Sequence, residues 1–217
     1  SRSAGEFRKV SAERKAIVDW KARKEPVLVP PFEPLQCPTR SARIQCGMHN
    51  LRWPKNRSGL GKEWPMCVHG QNDAISRDIM HSGAWEGHIT SVVVRLVKQI
   101  GGWFIDAGAN IGYFSTCAFN ARIPVLSIEA APWNFKQLNT TGSWYRTYFP
   151  EHRWERVNVA LSNVAGHQVH LQGSDVNFGG TSAVNPALHP DPGWTRSAAT
   201  NPFQADVTTQ VMDAVIA

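Results

Sequence analysis

No stretch of the 217-residue chain approaches the roughly 20 consecutive apolar residues of a membrane-spanning helix. The first residues lack the apolar core of a secretory leader. A span within these residues is excluded, whereas an upstream anchor or targeting segment stays open, since the chain starts at Ser1. Internal repeats are lacking, which excludes solenoids and propellers. Zinc-finger spacing, an aromatic RNA-binding signature and a basic helix-turn-helix pattern are also lacking, so no nucleic-acid partner is expected despite a formal charge of +6. The placement of the charge agrees with this. Arg8, Lys9, Arg14, Lys15, Lys21, Arg23 and Lys24 crowd the start of the chain and are interrupted by Glu13, Asp19 and Glu25, the pattern of a solvated helix face or tail.

Cysteine is scarce, with four residues in two settings. Cys37, Cys46 and Cys67 lie among proline, glycine and tryptophan, and Cys117 falls on an apolar helix, where a reduced, buried thiol is expected. In an oxidising compartment two of the clustered three would staple a loop with little regular structure. Three ordinary thiols are the plainer reading. A zinc site that adds His49 and His69 ranks last, because the spacings contain no compact ligand pair, and no metal is expected. Asn56-Arg57-Ser58 and Asn139-Thr140-Thr141 are formal glycosylation triplets. They favour a Golgi-like secretory lumen over cytoplasm or another organelle, although such triplets also arise by chance.

What is present suffices for a folded α/β domain: hydrophobic residues make up 42% of the chain and include nine tryptophans, which excludes wholesale disorder. Residues 1–75 read as a charged start followed by a proline-rich extension (Pro26, Pro30, Pro31, Pro34, Pro38) with little capacity for sheet. Residues 76–217 read as one domain. Ile89, Val92, Val93, Leu96, Val97 and Ile100 recur at helical steps and predict a helix that packs on a sheet and stops at Gly101-Gly102. Trp103-Phe104-Ile105 is a short continuous apolar run, as in a parallel strand covered on both faces, Val125 to Glu129 reads as a second buried strand, and a helix is expected over 112–121 between them. Pro132 suits the first turn of a further helix, with Phe135, Leu138, Tyr145 and Phe149 as its seam. Val157, Val159 and Leu161 predict a third strand, Val169 and Leu171 a short fourth. The stretch from Gly173 to Phe203 reads as a long functional or disordered loop, and Asp206 to Val211 as extended. The alternation predicts a doubly wound, Rossmann-like sheet.

Asp106-Ala107-Gly108-Ala109-Asn110-Ile111-Gly112 sits between the first strand and its helix. Gly108 and Gly112 permit a tight turn and a close ligand, and the helix N-terminus behind them favours an anionic group. The three-glycine spacing of dinucleotide folds is missing, which disfavours nicotinamide binding. Glu129 ends the second strand, 23 residues after Asp106, where an acid can accept hydrogen bonds from both ribose hydroxyls of an adenosine ligand. Asp106 either holds the turn through backbone N–H groups or meets the ligand's ammonium.

The run Trp103 to Ser115, with its core Asp106-x-Gly108-Ala109-Asn110-x-Gly112-Tyr113, resembles the first motif of FkbM-type methyltransferases, a branch of the class I S-adenosylmethionine-dependent enzymes. Ser82-Gly83-Ala84-Trp85-Glu86, Ile128-Glu129-Ala130-Ala131-Pro132 with Asn134, Asn158 to Ser162, and Asn177 before Gly179-Gly180 extend the resemblance over about residues 78–212. Ala130 departs from it, since the family usually has proline after the glutamate. The resemblance implies S-adenosyl-L-methionine as cofactor, held by Asp106, Gly108, Asn110, Gly112, Glu129 and Glu86. It also implies methyl transfer to a hydroxyl of a sugar, glycan or small metabolite. Trp85 and Glu86 either close over the cofactor's amino-acid end or pack at the sheet edge. His81, His88, His170 and His189 are conceivable bases, and none is assigned. The alternative function is a non-catalytic methyltransferase-like scaffold or assembly subunit. Strands near 103, 125 and 157 supply one side of the sheet only, so the domain is expected to lack its C-terminal part in these residues, with further sequence or a partner chain covering the edge.

Overall fold

Asp73 opens the first helix: its carboxylate accepts the Ser76 N–H at 2.8 Å, satisfying a donor that has no partner within the helix. That helix, α1 (Ala74–Ser82), ends at Gly83 in the left-handed conformation. The computed structural model describes residues 34–44, 46, 64–174, 176–184 and 203–216, all within a single compact unit. The charged start, Pro26, Pro30, Pro31, His49, the triplet at Asn56 and His189 lie outside the described residues.

Ahead of α1, β1 (Arg40–Ile44) and β2 (Trp64–Val68) pair antiparallel with Ala42 opposite Met66. This corrects the expectation of little sheet before residue 75. Ala42, Ile44, Met66, Cys67 and Val68 are buried. The pair packs on α1 and on the long helix α4 (Pro132–Tyr148), so these residues gain their sheet character from tertiary burial. Tyr145 of α4 is fully buried and its hydroxyl donates to the Pro65 carbonyl oxygen at 2.9 Å. Burial pushes that phenol's pKa up. Gly142 does not break α4, and the guanidinium of Arg156 lies where its side chain would be.

The helix predicted from Ile89 to Ile100 forms as α2 (Gly87–Ile100) and stops at Gly101. Its apolar seam is turned outward, contrary to expectation: Val92, Leu96 and Ile100 are 57%, 51% and 82% exposed, while Thr90, Ser91 and Val94 are buried. The reason lies in the neighbouring sheet. β3 (Phe104–Ala107), β4 (Val125–Ile128) and β5 (Trp154–Val157) run parallel in the order β3-β4-β5, so β3 is an edge strand among the described residues. Central β4 is buried at all four positions, which accounts for Val125, Leu126 and Ile128, with Ser127 the one polar residue among them. Helix α3 (Tyr113–Asn120) connects β3 to β4, and α4 connects β4 to β5.

The third strand is shorter than expected. After Val157 the chain leaves the parallel sheet, and β6 (Ala160–Leu161) pairs with β9 (Gln204–Gln210) instead. β7 (Gln168–Gln172) and β8 (Ser182–Val184) complete a third sheet in the order β6-β9-β7-β8. The long polar segment after Gly173 therefore contains a strand and a 3₁₀ turn, Phe178–Gly180. Val169, Leu171, Ala205 and Val207 of this sheet pack against Ala130, Ala131 and Trp133. A short helix, α5 (Met212–Ile216), follows β9. The chain is a mixed α/β protein.

All four cysteines are paired, Cys37 with Cys67 and Cys46 with Cys117. The first bond matches the expected staple. The second overturns the reduced thiol at Cys117 and, with the first, the zinc reading, since these sulfurs hold no lone thiolate for a metal. Cys117 faces the segment after β1 from α3, a proximity created by packing rather than by sequence spacing.

Candidate functional site at the end of the parallel sheet

The turn 107–112 follows β3 and folds back onto the end of β4, the Gly108 and Ala109 N–H groups donating to the Ile128 carbonyl oxygen at 2.9 and 3.0 Å. Ala107 pairs in register with Ile128, so Glu129, one residue further, stands directly beside the turn. Its Oε2 accepts the Asn110 N–H at 2.7 Å and its Oε1 the Ala131 N–H at 2.9 Å. Burial pushes the Glu129 carboxyl above the usual range, against hydrogen bonds from the Ala131 and Asn110 amides and from the Asn134 side chain. Asn158 fixes the next peptides by donating to the Glu129 and Ala130 carbonyl oxygens at 2.7 and 2.9 Å.

Two positions of the turn require positive φ for different ends. Gly108, at φ 80°, has no atom within 4 Å of where a Cβ would stand, and its surface is open to a ligand. Gly112, at φ 86°, is closed: a Cβ would come 2.4 Å from Leu138 Cδ1. Gly112→Ala is therefore expected to cost about 2–3 kcal/mol, from the left-handed conformation and from overpacking against α4. Chemical denaturation measures this, and an unchanged midpoint would contradict the close contact. Asn110 is a non-glycine residue at φ 51°, and its Oδ1 is buried without a hydrogen-bond partner.

Asp106 lies beneath the turn. Trp154 Nε1 donates to Ser127 Oγ at 2.8 Å, Ser127 and Ser115 hydroxyls lie 2.6 Å apart, and Ser115 Oγ donates to Asp106 Oδ2 at 2.5 Å. With Ser115 donating to the carboxylate and Trp154 able only to donate, the Ser127 hydroxyl donates to Ser115, giving one directional chain. Burial raises the Asp106 pKa, opposed by the Ser115 side chain and backbone. Asp106 thus hydrogen-bonds the first turn of α3 through Ser115.

Glu86 is exposed, at φ 45°, at the start of α2. Thr90 Oγ1 donates toward the Trp85 and Glu86 carbonyl oxygens at 3.3 and 3.2 Å, and Tyr113 interacts with the Trp85 backbone and with Thr90. The structure thus brings Asp106, Gly108, Asn110, Gly112 and Glu129 together, and sets the Trp85-Glu86 turn against the first residue of α3. Among the described residues, the conceivable bases His81, His88 and His170 do not converge on it. His81 is exposed and contacts the Arg77 carbonyl oxygen, His88 is exposed, and His170 pairs with Asp206 at 2.9 Å on the face of β7 and β9 opposite Val169 and Leu171.

Sequence reasoning missed a buried group beside the turn. Asp73 Oδ1 accepts the Phe178 N–H at 2.9 Å, Asn134 Nδ2 donates to the Phe178 carbonyl oxygen at 3.1 Å, and Asn134 Oδ1 faces His69 Nε2 at 2.9 Å. Only the helix cap at Asp73 and Ser76 had a local sequence signal. Comparison with protein-family models, with curated proteins and with solved structures gives no match for this chain.

Proposed function

We propose that the turn 107–112 and Glu129 hold S-adenosyl-L-methionine, and that the chain is part of a methyltransferase acting on a hydroxyl of a glycan or small metabolite. One observation carries the reading: an open glycine turn and a buried carboxylate end adjacent parallel strands in register. The three strands joined through α3 and α4 support one half of a doubly wound, Rossmann-like sheet, in which ligands sit at the carboxyl ends of the strands.

The residues fit such a ligand. Each Glu129 oxygen takes one backbone N–H and the Asn134 side chain takes a further acceptor position, which leaves a carboxylate lone pair for a ribose hydroxyl. Asn110 Oδ1 is a buried acceptor in need of a donor. Gly108 leaves room for close approach. When bound, the cofactor supplies an activated methyl group on a sulfonium. The chain's own residues then align an acceptor hydroxyl and exclude water, which demands no particular base. The two disulfides support maturation in an oxidising lumen.

Calorimetric titration is expected to give a heat of binding with S-adenosylhomocysteine and none with NAD. Binding of NAD alone would replace this reading with a nicotinamide one. A second reading, a non-catalytic methyltransferase-like scaffold, is favoured by the outward seam of α2 beside the edge strand β3. It predicts no cofactor heat at all.

A further inference from the structure

Phe178 is held from three sides. Its N–H goes to Asp73, its carbonyl oxygen receives Asn134, and its ring lies 4.0 Å from the imidazole of His69, centroid to centroid. Asp73, His69, Asn134 and Phe178 are all at least nine-tenths buried. Because Asn134 gives its amide hydrogen to Phe178, its oxygen faces His69 and the imidazole donates from Nε2. Burial depresses the His69 pKa, opposed by the Asn134 hydrogen bond and by Asp73, so the ring is neutral at pH 7 and suited to that single donation. The group joins the loop before α1, the start of α4 and the turn after β7, with Asp73 and Phe178 105 residues apart.

What this group fixes in place is the next residue. A Cβ on Gly179 would come 2.4 Å from Ile75 Cδ1 and 3.0 Å from Asn110 Nδ2, so the 3₁₀ turn lies directly on the Asn110 side chain. The turn is closed on itself by Asn177 Oδ1, which accepts the Gly180 N–H at 3.0 Å. Asn110 is the residue whose N–H ties the glycine turn to Glu129 and whose Oδ1 has no partner. The seat of Phe178 therefore decides where the Asn110 carboxamide points.

We propose that Asp73 and Asn134, with His69 stacked on Phe178, are positioning residues that seat the turn 177–180 on Asn110 and thereby set the affinity of the glycine turn for its adenosyl ligand. This rests on the cofactor reading above. None of the three touches the ligand; Asp73 and His69 act through Phe178 and Gly179, and Asn134 acts through Phe178 and also through its own hydrogen bond to Glu129.

Asp73 has two duties, and one substitution separates them. Asp73→Ser keeps a short oxygen that caps α1 through the Ser76 N–H, but it cannot also reach Phe178. The variant is expected to bind S-adenosylhomocysteine about tenfold or more weakly by calorimetry. Hydrogen exchange at the Phe178 amide should quicken while amides within α1 keep their protection. Reciprocity gives a second measurement on the unaltered protein: if the seat sets affinity, saturating S-adenosylhomocysteine must slow exchange at Phe178 and Gly180. Quickened exchange at Phe178 with unchanged affinity overturns the inference, as does a bound ligand that leaves both amides unaffected. A wild-type protein that binds no S-adenosylhomocysteine overturns the cofactor reading, and this inference with it. That failure is told apart from the others because it occurs before any substitution is made.

Discussion

Glu129→Ala is expected to cost the protein roughly 2–6 kcal/mol of stability, besides weakening the binding of the proposed adenosyl ligand, because two buried N–H groups lose their acceptor at about 1–3 kcal/mol each. The Asn110 and Ala131 amides are those donors. A typical domain is stable by only about 5–15 kcal/mol, so the effect is a large share of the whole. Glu129→Gln supplies the control, since it keeps one oxygen and sets an NH2 group against the second donor; about half the loss is expected. The pH dependence gives a further check. With its pKa raised by burial, native Glu129 binds a proton that the unfolded chain releases, so its contribution to stability grows as pH falls through the raised value and is complete below the ordinary one near 4.5. Asp106 has the same sign. His69, depressed by burial, has the opposite one, and its contribution is lost as pH falls below about 6.5. Glu129→Gln should remove only the Glu129 part of the slope in urea titrations between pH 4 and 7. An unchanged midpoint for Glu129→Ala would show that Asn110 and Ala131 find other acceptors, and would remove the carboxylate from its place at the centre of the site.

The elements that could be read from sequence are those whose pattern is written locally. The mostly apolar segment Val125 to Ile128 became the fully buried central strand, Pro132 opened α4, and Gly101 closed α2. The site's backbone frame was legible for the same reason, since a glycine turn after one strand and an acid after the next are local signals that parallel register brings together. Three things were not legible. The seam of α2 is a perfect helical stripe, but periodicity shows only that one face is apolar, and the neighbour of β3 decides whether anything covers it. β1 and β2 contain proline, charge and cysteine in place of clean alternation, and their sheet pairing follows from packing on α1 and α4. The holding of Phe178 joins positions 44 to 105 residues apart through one carboxylate and one amide, and no spacing rule reaches that far. Asn134 and Asn177 stood out only through the family resemblance, which marked the positions without the contact that explains them.

Removing the Cys46–Cys117 bond is expected to destabilise the protein by about 4 kcal/mol, the largest single effect of any side-chain pair here, because the bond closes a loop with a sequence separation of 71. Cys37–Cys67, with a separation of 30, is expected to contribute about 3.5 kcal/mol by the same chain-entropy argument. The two loops interleave in the order 37, 46, 67, 117, so the first closure already confines part of the second, and loss of both should cost less than the sum. Their consequences for the site differ. Cys37–Cys67 ties the segment before β1 to β2, within the antiparallel pair. Cys46–Cys117 ties the segment after β1 to α3, whose N-terminus carries Gly112 and Ser115 and so anchors both the glycine turn and Asp106. Cys46→Ala with Cys117→Ala should therefore weaken S-adenosylhomocysteine binding more than Cys37→Ala with Cys67→Ala does, at equal fractions of folded protein. The pairing itself is checked by alkylating denatured protein from an oxidising compartment without reductant: no cysteine should be labelled, and peptide mapping should join residue 37 to 67 and 46 to 117. Alkylation of Cys117 under those conditions would leave α3 without its tether, and the binding difference between the two double variants would have no basis.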